Sequence, residues 1–263
     1  FGGITKTFYQ QDEWLGYGLY LAKGYETIWQ STGGILGIIF GQGRILTNLL
    51  YFLFYKYFPL NALPIAVFAI TFHIINTLIV FFLAKKLFKK ALPAFLGGLF
   101  FALNSVSQSA VTWPAASINT LPSTTLILVA LIFYFRYLKS FKEKWMILSF
   151  VFVYLSLFFK ETGVFLFLLL PLFSLIYIKQ NLRTFIKRHW YCLAAMFLIV
   201  IFRIWGFKSE SGQVALFLTG SSHAYWQTFL TRSILYPLTS FSLTFVPSEP
   251  FLWFARSLSK IYY

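Results

Sequence analysis

Acidic residues are scarce: seven in 263, with Asp12 the only aspartate. Cysteine is scarcer, a single Cys192 inside an apolar run. One cysteine excludes an intrachain disulfide and a cysteine-based metal site. Charged residues of both signs make up 11% of the chain, against 59% hydrophobic. Soluble domains are roughly half apolar and about a quarter charged. So little charge excludes a soluble domain of this size and makes lipid the solvent for much of the chain. No repeat period is present, which excludes a solenoid. A secretory leader pattern is also missing. The start at Phe1 and the end shortly after Pro247 and Pro250 lead to the expectation of a fragment.

What charge there is lies on the basic side, +15 net. It falls in short clusters between apolar runs, a pattern that fits orientation signals and lipid headgroups, with no nucleic-acid partner expected. Six membrane spans are expected: Ala62–Ala84, Ala91–Trp113, Ile118–Tyr137, Trp145–Phe159, Thr162–Ile178 and His189–Ile204. The first has 23 residues without Lys, Arg, Asp or Glu, or ~35 Å as helix. A seventh, around Ser233–Phe254, is interrupted by prolines. Three clusters carry over half of the 22 basic residues: Lys85, Lys86, Lys89, Lys90; then Arg136, Lys139, Lys142, Lys144; then Lys179, Arg183, Lys187, Arg188. They occupy alternate loops, which the positive-inside rule places in the cytoplasm. Loops 1–61, 104–119, 160–161 and 205–223 then share the outer face.

Residues 1–61 are mixed. Aromatics such as Trp14, Tyr17, Tyr20, Tyr25 and Trp29 suit the headgroup level, and the apolar run Ile45–Tyr55 is too short to span. Interfacial helices are expected there. The expected fold is therefore all-α, a polytopic transmembrane bundle with interfacial helices in its first outer loop. Its parts are that loop (1–61), a six-span core (62–206) and a further outer loop with a doubtful span (207–263).

Several residues could carry chemistry, and each has a plainer reading beside it. Asp12-Glu13 offers a carboxylate base, or a solvated acidic pair. Lys160-Glu161 lies between apolar runs, where charge is costly and usually functional, or forms a wet hairpin tip. Arg203 ends an apolar run as a phosphate-binding fork, or as an interfacial anchor. His73 and Asn76 share a helix face and read best as interhelical hydrogen bonding. Asn104, several serines and Trp113 form an uncharged polar patch that suits a sugar site or an ordinary loop. The three histidines are far apart in the chain, and two adjacent carboxylates make a poor cage. No metal site is therefore assigned, and a divalent ion held by oxygen ligands stays open without being indicated.

Taken in order, Arg44-Ile-Leu-Thr47-Asn48-Leu-Leu-Tyr51, Phe72-His73-Ile-Ile-Asn76, Phe101-Ala102-Leu103-Asn104, Ala110-Val111-Thr112-Trp113, Lys160-Glu161-Thr162-Gly163 and Arg203-Ile204-Trp205-Gly206 resemble the GT-C membrane glycosyltransferases. The nearest branch is protein O-mannosyltransferase-like, including the mannosyltransferases fused to tetratricopeptide repeats. The resemblance covers most of residues 8–206. It implies a transferase in the cell (inner) membrane that uses a polyprenyl-phosphate-linked, mannose-like hexose and an acceptor protein or glycan. It matches Asp12, with Glu13, to the catalytic acidic position, and Lys160, Arg203 and Arg44 to donor-phosphate positions. Glu161, Trp113, Asn104 and His73 become candidates around the sugar and acceptor. The family's third-span loop commonly reads His-Pro-x-His-x-Glu-Ala-Val with an arginine further on; here it reads Asn104-Ser-Val-Ser-Gln-Ser-Ala-Val111, with Ser117 near the arginine position. The transmembrane helix that the family places before its acidic loop has no counterpart in the sequence. Two other functions fit the same plan: a transporter or lipid-sugar flippase, and an inactive GT-C relative.

Overall fold

The computed structural model describes residues 8–9, 11–29, 39, 42–104, 110–178, 183, 187, 189–195, 197–199 and 201. Among these the fold is all-α, without a strand. The helices are α1 (Gln11–Lys23), α2 (Ile45–Tyr57), α3 (Leu63–Phe88), α4 (Ala91–Leu103), α5 (Pro114–Ser140), α6 (Glu143–Leu157) and α7 (Leu166–Ile178), with single 3-10 turns at Gly24–Trp29, Gln42–Arg44 and Glu161–Phe165. Residues 189–195 are also helical.

Two helices, α3 and α5, are long and apolar enough to cross a membrane. At 26 and 27 residues each is ~40 Å long. Both start on proline chemistry that suits a first helical turn: Pro64 in α3, where Asn61 Oδ1 also accepts the Leu63 N–H at 3.0 Å, and Pro114 opening α5. Both end in a left-handed residue whose N–H returns to the preceding turn, Lys89 to Lys85 O and Phe141 to Tyr137 O. Lys86 lies within electrostatic reach of Lys139 and Arg136, so the first two basic clusters meet at one end of the bundle.

The expected second span, Ala91–Trp113, does not form as one helix. α4 stops at Leu103 after 13 residues and Asn104 turns extended (φ −61°, ψ 135°). Asn and Ser side chains compete with the helix for backbone partners, and the apolar pattern ends at this point. The fifth expected span opens as the Glu161–Phe165 turn before α7 begins. Gly163 is the reason for that close fit: a Cβ there would overlap the Ser156 hydroxyl of α6. The fourth is α6, 15 residues long. The end of the sixth and the doubtful seventh lie outside the described residues.

α3 is turned inside out relative to a soluble helix. Its buried set includes His73 and Asn76, while Val67, Ile74, Leu78 and Phe82 are more than half exposed. Soluble helices bury the apolar stripe and expose the polar one. Asn76 ties α3 to α5, donating from Nδ2 to Leu121 O at 3.1 Å and accepting from Thr125 Oγ1 at 2.7 Å. α5 and α6 are joined by small hydroxyls: Ser149 donates to Ala130 O at 2.8 Å and Ser123 to Ser156 O at 3.3 Å. Small polar side chains let helices approach closely where lipid supplies no hydrophobic driving force. Around them Tyr134, Tyr137, Met146, Val153 and Phe167 form the main core. Replacing Asn76 by Ala removes both ties, and should lower stability in thermal unfolding by about 1 kcal/mol. No change would mean that the α3–α5 contact rests on apolar packing alone.

Candidate functional site

The charges at 12, 13, 44, 160 and 161 gather at the end of the bundle where α5 begins, a helix length from the basic residues on α5's C-terminal turns. Glu13 lies in the first turn of α1 and is fully buried. Its Oε1 accepts the Ala115 N–H at 2.5 Å, at the second residue of α5. The opening N–H groups of a helix lack intrahelical partners and carry partial positive charge, so a carboxylate there is well placed. Glu13's own carbonyl accepts the Tyr55 hydroxyl at 3.0 Å. One residue thus pins α1 to both α5 and α2. Asp12, its neighbour, is exposed. The acidic pair therefore divides into an anchor and an open carboxylate. The aromatic packing around it is dense: Tyr9 meets Trp14 and Tyr55 edge-on at 5.6 and 6.0 Å.

A second attachment joins α2 to the turn after α6. The Leu46 N–H donates to Phe158 O at 3.2 Å and Thr47 Oγ1 to Phe159 O at 2.9 Å. Arg44 completes the clip with a fork on Glu161: Nε donates to Oε2 at 2.8 Å and Nη2 to Oε1. To reach it, Arg44 sits in the left-handed region (φ 45°, ψ 50°) behind Gly43 (φ 79°). A non-glycine residue there carries strain of about 1–3 kcal/mol that its surroundings must hold. The two side chains remain 41% and 38% exposed, so water screens the pair and its own contribution stays within about 1 kcal/mol.

Lys160 lies beside this clip. Its Nζ donates to Thr120 Oγ1 at 2.8 Å, and Thr120 donates in turn to Asn119 Oδ1 at 2.7 Å. Burial holds the Lys160 ammonium below the ordinary lysine value, helped by the nearby Arg44 charge and opposed by Glu161. Tyr51 lies within electrostatic reach of Glu13, Asp12 and Arg44. Burial, then Glu13, then Asp12 push its phenol up, while Arg44 pulls it down. All three charged groups are thus within electrostatic reach of one hydroxyl.

Of the residues expected from sequence, Asp12, Glu13, Arg44, Lys160 and Glu161 are brought together. Trp113 borders them as the residue before α5, partly exposed and two positions from Ala115. Asn104 caps the end of α4, and residues 105–109 lie outside the described ones. His73 does not join the charged group: it is buried against α4, with Nε2 3.2 Å from Ala102 O and its ring stacked on Phe101. Arg203 lies outside the described residues. Sequence reasoning missed Tyr51, Thr47 and Thr120 as members of the site. Thr47 and Tyr51 are in the Arg44–Tyr51 stretch, four residues apart on one helix face, which was the available signal. Among the described residues no group of three or more His, Cys, Asp or Glu is placed to hold a metal. Comparison with protein-family models, curated proteins and solved structures finds no match.

The split between the two acids is testable by thermal unfolding. Glu13→Ala strips a buried N–H of its partner and should cost about 1–3 kcal/mol. Glu13→Gln keeps an acceptor oxygen and should cost less, while Asp12→Asn should stay within about 0.5 kcal/mol. Equal losses at positions 12 and 13 would overturn the division.

Proposed function

We propose that the chain is the catalytic region of a multi-pass GT-C-type glycosyltransferase of the cell (inner) membrane, with its site on the extracytoplasmic face. The observation that carries this reading is the convergence of Asp12, Arg44, Lys160 and Glu161, from three distant stretches of sequence, at one end of an apolar helical bundle. The inverted exposure of α3 supports a lipid surround. The meeting of two basic clusters at the far end supports the orientation.

In this reading a mannose-like hexose passes from a polyprenyl phosphate to an acceptor hydroxyl on a protein or glycan. Exposed Asp12 takes the hydroxyl proton as the oxygen attacks the anomeric carbon from the face opposite the phosphate. The anomeric carbon–phosphate oxygen bond breaks, its electron pair leaves with the lipid phosphate, and the anomeric centre inverts. Lys160 and Arg44 stabilise the departing charge. Arg44 has five N–H donors, and two contacts hold it on Glu161, which aims the guanidinium while leaving donors for phosphate oxygens. Glu13 positions α1 and so positions Asp12. An apolar groove of about 700 Å³ along α6, lined by Ile147, Val151, Tyr154 and Phe167 among others, suits the polyprenyl chain. A lipid-sugar flippase would use the same groove.

Membranes carrying the protein, fed labelled polyprenyl-phosphate hexoses, should release label from the lipid. Asp12→Asn should abolish release, by about 100-fold or more for loss of a general base, without unfolding. Full activity in Asp12→Asn would remove the base, and translocation without release would favour the flippase.

The lowered Lys160 pKa sets the sign of the pH dependence. The charged form is needed to hold phosphate and is lost as pH rises through the folded-state value, which lies below that of an ordinary lysine. The alkaline limb of activity should therefore fall at lower pH than for a free lysine. Lys160→Arg, which keeps its charge, should move that limb upward. For stability the same shift means the unfolded chain binds more protons between the two values, so stability rises with pH across that window. An alkaline limb unmoved by Lys160→Arg would exclude this role.

A further inference from the structure

A cleft of about 180 Å³ opens between α1, the Gly24–Trp29 turn and α2. Tyr20, Tyr51, Phe52 and Tyr55 supply its aromatic walls, and Thr27 and Asn48 its polar edge. The rings brace one another: Tyr51 stacks on Tyr55 with centroids 5.5 Å apart, and Tyr20 stands edge-on to Phe52 at 5.7 Å. Asn48 is held in one orientation, with Nδ2 donating to Gly43 O at 2.9 Å and Ile28 O at 3.4 Å. Thr27 Oγ1 donates to Gly24 O at 2.8 Å, so its oxygen faces a visitor as an acceptor.

Size and chemistry narrow the occupant. The cleft is smaller than the roughly 300–1,000 Å³ of drug-sized pockets and has room for about six waters at ~30 Å³ each. None of its lining residues carries a formal charge, so a phosphate, carboxylate or amine finds no counter-ion among them. A purely apolar occupant would leave the polar edge at Thr27 unmatched. A pyranose ring meets both demands: its C–H face packs against the electron-rich face of an aromatic ring, and its hydroxyls require donors and acceptors around the edge. A serine or threonine side chain has no such face to offer. Asp12 stands one helical turn before the lining residue Gly16 on α1, and Tyr51 of the lining is within electrostatic reach of it.

We propose that this cleft binds a neutral pyranose ring, the acceptor sugar of a glycan. Ring binding stands on the cleft itself; its role as acceptor rests on the glycosyltransferase reading.

The test is saturation-transfer NMR on the purified protein in detergent micelles, with the methyl glycosides of mannose, glucose and galactose as probes. At least one should receive saturation, concentrated on its ring C–H protons. Leu19→Trp fills the cleft from its wall and should weaken binding by about tenfold, as should Tyr20→Leu by removing a stacking face. Both variants should keep the wild-type unfolding temperature to within a few degrees, which separates loss of the cleft from loss of the fold. No transfer to any of the three glycosides, or undiminished transfer in both variants, overturns the proposal. So does saturation of a serine- and threonine-bearing peptide in place of the glycosides. Glycoside binding by a protein that cleaves no donor keeps the cleft and removes the transferase; donor cleavage without glycoside binding does the reverse.

Discussion

The site depends on the docking of the turn after α6 onto the start of α2. Three contacts make that joint: Leu46 N–H on Phe158 O, Thr47 Oγ1 on Phe159 O, and the Arg44 fork on Glu161. The first two satisfy backbone groups at a helix start and a helix end that would otherwise go without partners. The third holds a left-handed arginine in place. The joint sets Arg44 and Glu161 beside Lys160, which is also tied to α5 through Thr120. The Gly163 contact with Ser156 is part of the same constraint, since it sets how closely the turn lies on α6.

Glu13 supplies the complementary attachment from the other side. A buried carboxylate on the opening N–H groups of α5 joins the loop to the longest described helix. Buried charge is costly unless hydrogen-bonded, and here the helix start provides the partner. The result is an anchored first turn of α1 in which the neighbouring carboxylate of Asp12 stays exposed. Tyr51 lines the aromatic cleft and is within electrostatic reach of both acids and Arg44.

Much of this was legible in the sequence, and the gaps have physical causes. The two long helices follow from apolar runs without an acidic residue, and the all-α class from composition. Alternating basic clusters put Asp12, Glu13, Arg44, Lys160, Glu161 and Arg203 in one set of loops; the first five lie near one another at one end of the bundle, and Arg203 is outside the described residues. Which of two adjacent carboxylates is buried was not legible, because burial of Glu13 depends on where the start of α5 sits, a hundred residues away. The break after Leu103 was underestimated because α4's apolar stretch runs without a charge into a polar patch whose backbone preferences outweigh span length. His73 matched a motif by order, but the order carries no information about which neighbour the ring packs against. Thr120 looked like the polar start of a span, and only the approach of Lys160 makes it part of a site.

The most direct test of the clip is a charge swap at its fork, read by thermal unfolding of the single and double variants. Arg44→Glu and Glu161→Arg should each destabilise. The double swap should recover part of the loss, with a coupling of about 0.5–1 kcal/mol given how exposed the pair is. A double variant whose loss equals the sum of the singles would mean that Arg44 and Glu161 do not hold the turn to α2, and the joint would rest on the Leu46 and Thr47 contacts alone.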